Sequence, residues 1–158
     1  MSLEQKVAQL LINKKKRLAI AESCTGGLLS NRLTNIPGSS AYLKLGVIAY
    51  SNEAKIKLLK IPPDLIKKHG AVSVEIACTM AGRVRGLLKT DFGVAITGIA
   101  GPSGATRRKP IGLTFIAVNT PVESLCVQYV FQGTRTSIKT QAANAALQLL
   151  AEFLESYA

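Results

Sequence analysis

Hydrophobic and polar positions along the chain switch repeatedly between helical and strand periods. Leu3, Val7, Leu10 and Leu11 fall on one helical face. Ser2-Leu3-Glu4-Gln5 has capping-box form ahead of them, and Lys14, Lys15, Lys16 and Arg17 close that helix, where cations favour the dipole. Leu18-Ala19-Ile20 is a short apolar run of strand type, followed by a turn and a helix to about Asn35. Ile36-Pro37-Gly38-Ser39-Ser40 is a turn by composition, and residues 43–50 read as a strand. Ser51 then caps a helix. Ile61-Pro62-Pro63 ends it and starts another, which Gly70 stops. Ser73 caps a long helix whose predicted inner face is Ile76, Ala77, Met80, Val84, Leu87 and Leu88. Residues 92–97 form a strand that runs into a glycine loop. Residues 113–118 and 125–131 alternate and predict a hairpin around Asn119-Thr120-Pro121-Val122-Glu123. Gly133-Thr134-Arg135 opens a last helix with the stripe Ile138, Ala142, Ala145, Leu149, Leu150, Phe153 and Leu154.

Strands at roughly 18–21, 43–50, 92–97, 112–118 and 125–131, with helices between the early ones, predict an α/β fold. The final hairpin makes the sheet mixed, because hairpin neighbours are antiparallel, and helices should cover both faces. No repeat, low-complexity tract or linker divides the 158 residues, so one domain over 1–158 is expected. With 47% hydrophobic and 18% charged residues, the chain has the material for a packed core. No apolar run reaches the length of a membrane span and the N-terminal segment is not of signal-peptide type, so no membrane partner and a cytoplasmic location are expected.

Cys24, Cys78 and Cys126 lie far apart and His69 is the one histidine. That spacing argues against a disulfide framework and a zinc site, so no metal is expected. The net charge of +11 points to an anionic partner, either a phosphorylated small molecule or nucleic acid. Aromatic residues are few and Trp is absent, so platforms for stacking bases are poorly supplied.

The chemistry concentrates at Ala21-Glu22-Ser23-Cys24-Thr25-Gly26-Gly27, where a strand hands over to a helix. Helix-start N–H groups lack internal partners and suit an anion or an oxyanion, and the two glycines let a ligand approach the backbone. Ser23, Cys24 and Thr25 are nucleophiles or donors by type; Ser23 or Thr25 could equally serve as a helix cap. Lys55 sits near the start of the helix capped by Ser51, where the dipole repels a cation. It is either a solvent-facing lysine or, if desolvated, a base of lowered pKa. A cysteine hydrolase built on Cys24 and His69 is a further alternative, with His69 otherwise a helix-end residue.

Six motifs in order resemble one family. They are Ala21 to Gly27, Pro37-Gly38-Ser39-Ser40-Ala41, Tyr50-Ser51-Asn52-Glu53-Ala54-Lys55, His69-Gly70-Ala71-Val72-Ser73, Thr97-Gly98-Ile99-Ala100-Gly101-Pro102 and Lys109-Pro110-Ile111-Gly112. Together they are similar to the C-terminal domain of the CinA family, which includes stand-alone nicotinamide-nucleotide amidases of the PncC type. The resemblance implies a three-layer α/β/α fold with a mixed, mostly parallel five-stranded sheet. It also implies hydrolysis of the amide of nicotinamide mononucleotide, without cofactor, and makes a homodimer plausible. It places the serine nucleophile on Ser23 and the accompanying tyrosine and lysine on Tyr50 and Lys55. Substrate contacts are expected from Thr25, Gly26 and Gly27, whose N–H groups would form the oxyanion hole, and from Asn52, Thr97, Gly98 and Gly101, with Arg135 at the phosphate. Two departures stand out. Ala105, Arg107 and Arg108 occupy a stretch that is usually glycine-rich and acidic, and Thr134 replaces the usual Asp before the arginine. They bear on substrate preference. The competence association of the family, with the charge, supports the alternative of a nucleic-acid-binding accessory protein.

Overall fold

The computed structural model describes residues 1–157. Its elements are α1 (Leu3–Lys14), β1 (Leu18–Glu22), α2 (Leu28–Thr34), a 3-10 turn (Ser39–Ala41), β2 (Leu43–Ile48), α3 (Asn52–Leu59), α4 (Pro63–His69), α5 (Val74–Leu88), β3 (Phe92–Gly98), β4 (Leu113–Asn119), β5 (Ser124–Val130) and α6 (Arg135–Ser156). The five strands form one sheet in the order β2-β1-β3-β4-β5. β1 runs parallel to β2 and β3; β3–β4 and β4–β5 are antiparallel. Four of the five strands therefore point the same way and β4 alone runs against them, a mixed sheet with most strands parallel. A parallel neighbour needs a crossover, usually a helix, whereas residues 99–112 return from β3 to β4 as a loop.

Side chains alternate across the central strands, and each set meets its own helical layer. Leu18 and Ile20 of β1 and Val94 and Ile96 of β3 join Val7, Leu11, Leu29, Leu33 and the buried stripe of α6 in one core. Ala19, Ala21, Ala95 and Ala117 face the other way, against Leu59, Ile66 and the Ile76, Met80 and Val84 face of α5. Those small residues let α5 lie very close to the sheet. At Gly93 a Cβ would stand 2.1 Å from the Ala81 carbonyl oxygen, so only glycine fits.

The capping signals worked as their chemistry requires. Ser51, Ser73 and Thr134 each accept a hydrogen bond from the N–H three residues on, at 3.0, 3.3 and 3.3 Å. One expectation fails, and one alternative drops out. Leu87 and Leu88 are about half exposed, because Arg85 already lies over Gly93 at the start of β3 and the last turn of α5 passes beyond the sheet. Neither Ser23 nor Thr25 caps α2. Gly27 takes that position without a side chain, and the capping acceptor is Glu22.

Candidate active site

The turn after β1 is built on a buried carboxylate. Glu22 Oε1 accepts the Thr25 hydroxyl at 2.6 Å and the Leu29 N–H at 3.0 Å; Oε2 accepts the N–H and hydroxyl of Ser30 at 2.9 and 2.7 Å. A fully buried anion thus faces four donors from the turn and the first turns of α2. Thr25 is thereby committed to Glu22, and the Gly26 N–H donates to the Ser23 carbonyl at 3.1 Å. Thr25, Gly26 and Gly27 do not line the neighbouring cavity.

That cavity, of about 290 Å³, is bounded by the Ser23–Cys24 turn, the start of α3, the Ala71–Val72 loop, residues 97–104 and Arg135. This is near the small end of ligand pockets. The structure brings Ser23, Tyr50, Asn52, Lys55, Thr97, Gly98, Gly101 and Arg135 into its lining. Cys24, Ala71, Val72, Ile99, Ala100, Ser103 and Gly104 complete it. The N–H groups of Cys24, Ala100 and Gly101 make no hydrogen bond among the described residues.

Lys55 is 2% exposed. Its Nζ donates to Ser23 Oγ at 2.9 Å, to the Ala49 carbonyl at 3.0 Å and to the Tyr50 carbonyl at 3.4 Å. Burial drives its pKa below the ordinary lysine value. As a neutral amine Lys55 would keep its two N–H donors for the two carbonyls and turn its lone pair to the Ser23 hydroxyl, reversing the direction of that one contact.

Tyr50 contributes to Lys55 through its backbone. The residue is 59% exposed, and its hydroxyl accepts from Arg135 Nη2 at 2.8 Å. Arg135 Nη1 also donates to the Gly101 carbonyl at 2.6 Å, so the guanidinium spans the mouth of the cavity. Cys24 is buried and its thiol is pushed up to about 11 by that burial, which disfavours a thiolate. His69 is outside the lining; its Nδ1 lies 3.4 Å from Glu75.

One supporting residue was not anticipated. Lys109 Nζ donates to the carbonyls of His69 and Val72 at 2.6 and 2.7 Å, and Thr97 Oγ1 donates to the Ala71 carbonyl at 2.8 Å. Two of the motifs recognised separately in the chain, His69 to Ser73 and Lys109-Pro110, are thus joined in one wall. Among the described residues no group of three or more His, Cys, Asp or Glu side chains could hold a metal ion, and no helix is long and apolar enough to cross a membrane.

Fold and site together define an α/β protein with a buried serine–lysine contact at a strand-to-helix turn. The chain belongs to the CinA C-terminal domain family, whose model matches residues 1–154. It is 49% identical over 154 residues to a CinA-like protein of Syntrophus aciditrophicus, covering 97% of this chain and 37% of that protein. A CinA-like protein of Acidobacterium capsulatum is 45% identical over 149 residues, 94% of this chain and 36% of its own length. The chain therefore spans little more than a third of these relatives. Among solved structures, a competence-damaged protein (CinA) superfamily protein from Klebsiella pneumoniae superposes with a TM-score of 0.95 at 32% identity, over 98% of this chain and 97% of that one. The competence/damage inducible protein CihA from Agrobacterium tumefaciens gives 0.89 at 33% identity, over 99% and 100% of the two chains.

Proposed function

We propose that this protein is a serine–lysine amidase that hydrolyses the carboxamide of nicotinamide mononucleotide to nicotinate mononucleotide and ammonia. The observation that carries the reading is the 2.9 Å contact between Lys55 Nζ and Ser23 Oγ inside a cavity lined by Arg135 and backbone amides. The substrate class comes from the family resemblance and from Arg135, a cation in a lining that holds no carboxylate.

Neutral Lys55 accepts the Ser23 proton as Oγ attacks the carboxamide carbon. The carbonyl π electrons move to oxygen. The free N–H groups of Cys24, Ala100 and Gly101 are the donors at hand for that oxyanion. The Lys55 ammonium then gives its proton to the departing nitrogen, the C–N bond breaks, and ammonia leaves an ester on Ser23. Water, deprotonated by Lys55, attacks that ester; Oγ leaves and recovers the proton. Arg135 keeps guanidinium donors for the phosphate beyond those used on Gly101 and Tyr50. Asn52, Thr97 and Gly98 contribute to the walls around the pyridine.

The deciding experiment measures ammonia release from nicotinamide mononucleotide by the parent protein, Ser23→Ala and Lys55→Ala. The parent should turn over and both variants should lose at least about a hundredfold in rate. No release by the parent, or unchanged release by both variants, rejects the reading. The charge of +11 favours one alternative, a nucleic-acid-binding accessory role. Its signature is DNA binding that weakens linearly with log salt and survives Ser23→Ala.

A further inference from the structure

Away from the cavity, two of the three cysteines meet where α5 crosses the outer strands. Cys126 of β5 pairs across from Ala117 of β4, and Ala117 is buried beneath α5, so Cys126 shares the sheet face that α5 covers. Cys78 projects from α5 and packs against the same cluster. Both side chains are half-buried, within reach of a small oxidant. The adjacent Cys126 thiol draws Cys78 down to about 7, against burial and the Glu75 carboxylate, while the Cys126 proton is held more firmly than in a free thiol. The pair thus favours thiolate on Cys78, with Cys126 as the thiol beside it. Cys24, by contrast, lies in the cavity with its thiol pushed up to about 11.

We propose that Cys78 and Cys126 form a reversible redox-modification site, a dithiol that closes to a disulfide joining α5 to the edge strand β5 when it meets a peroxide. The Cys78 thiolate attacks one oxygen of hydrogen peroxide. The O–O bond breaks, hydroxide leaves, and Cys78 becomes a sulfenic acid. The Cys126 sulfur then attacks the Cys78 sulfur. An S–S bond forms, the S–O bond breaks, and the hydroxyl leaves as water with the Cys126 proton. The two thiols together give up two electrons, and one peroxide is reduced to two waters. A dithiol reductant reverses the bond.

The test treats the full chain, reduced and freed of reductant, with a few equivalents of hydrogen peroxide. Thiols are counted after denaturation and a non-reduced digest is mapped. Titratable thiols should fall from three to one, intact mass should drop by about 2 Da, and a 78–126 linked peptide should appear and vanish with dithiothreitol. Cys126→Ser should stop at a dimedone-reactive Cys78. The wild-type map decides the matter even if that variant folds poorly. Three thiols remaining free overturns the proposal, as does a linkage through Cys24 or oxidation of Cys78 without any link to Cys126.

Discussion

Lys55 Nζ stands 2.9 Å from Ser23 Oγ although the two residues are 32 positions apart in the chain. Two structures must cooperate to place them. The Glu22-anchored turn presents Ser23, and the Ser51-capped start of α3 directs Lys55 back over the Ala49 and Tyr50 carbonyls. No carboxylate accepts from the Lys55 amine, and that makes its protonation sensitive to burial.

Activity should rise with pH along a limb set by Lys55, with its midpoint below the ordinary lysine value of about 10.4. Stability follows the same group. Between the lowered folded value and the unfolded value the unfolded chain carries the extra proton, so stability rises with pH across that window. Below the folded value the charged amine is buried at its full cost. Lys55→Met should remove this slope. Urea unfolding of parent and variant across the pH range, beside a pH–rate profile, checks both statements.

Glu22 should be costly to change although it takes no part in the chemistry. Glu22→Ala strands buried donors of Thr25, Leu29 and Ser30, a loss of about 2–4 kcal/mol. Glu22→Gln keeps the volume but turns an N–H toward one of those donor pairs, so it should also destabilise. Denaturant midpoints at constant slope are the readout.

Arg135→Ala should raise KM for nicotinamide mononucleotide by about 10–100-fold, as expected for loss of a charge-assisted contact, and change kcat much less. For nicotinamide riboside, which has no phosphate, the same variant should change KM little. Tyr50→Phe removes one tether of the guanidinium and should give a smaller effect in the same direction. Equal effects on both substrates would remove Arg135 from the phosphate.

Cys24 should be dispensable as a nucleophile. Its thiol is pushed up to about 11 and His69 is engaged with Glu75 outside the cavity. Cys24→Ala should retain amidase activity within about tenfold. Loss comparable to that of Ser23→Ala would reassign the nucleophile.

Gly70 and Lys109 should fail together. A Cβ at Gly70 would stand 2.7 Å from Lys109 Nζ, and the backbone there has φ +79°. Gly70→Ala should therefore destabilise by about 1–3 kcal/mol. In Lys109→Ala the steric part of that penalty should disappear, which a double-mutant cycle measures.

Much of this architecture is legible in the chain because its signals are local. Ser51, Ser73 and Thr134 announce helix starts through partners three residues away, and the alternation in 113–118 and 125–131 fixes a hairpin. What escaped depends on partners far along the sequence. Glu22 caps a helix from seven and eight positions upstream, outside any capping motif. Lys109 serves carbonyls 40 and 37 residues away. The Tyr50 phenol could not be assigned without seeing Arg135, 85 residues distant, reach it. Leu87 and Leu88 keep the helical period, but periodicity does not reveal where the sheet ends.

The bare backbone at Gly93 has a reach beyond its own strand. It sets how low α5 can settle, and the N-terminal end of α5 carries Ser73 and, just before it, the Ala71–Val72 side of the cavity. A single methyl added there, on a residue no substrate ever meets, would lift the helix like a shim under a beam. The binding gap would then be retuned from the far side of the molecule.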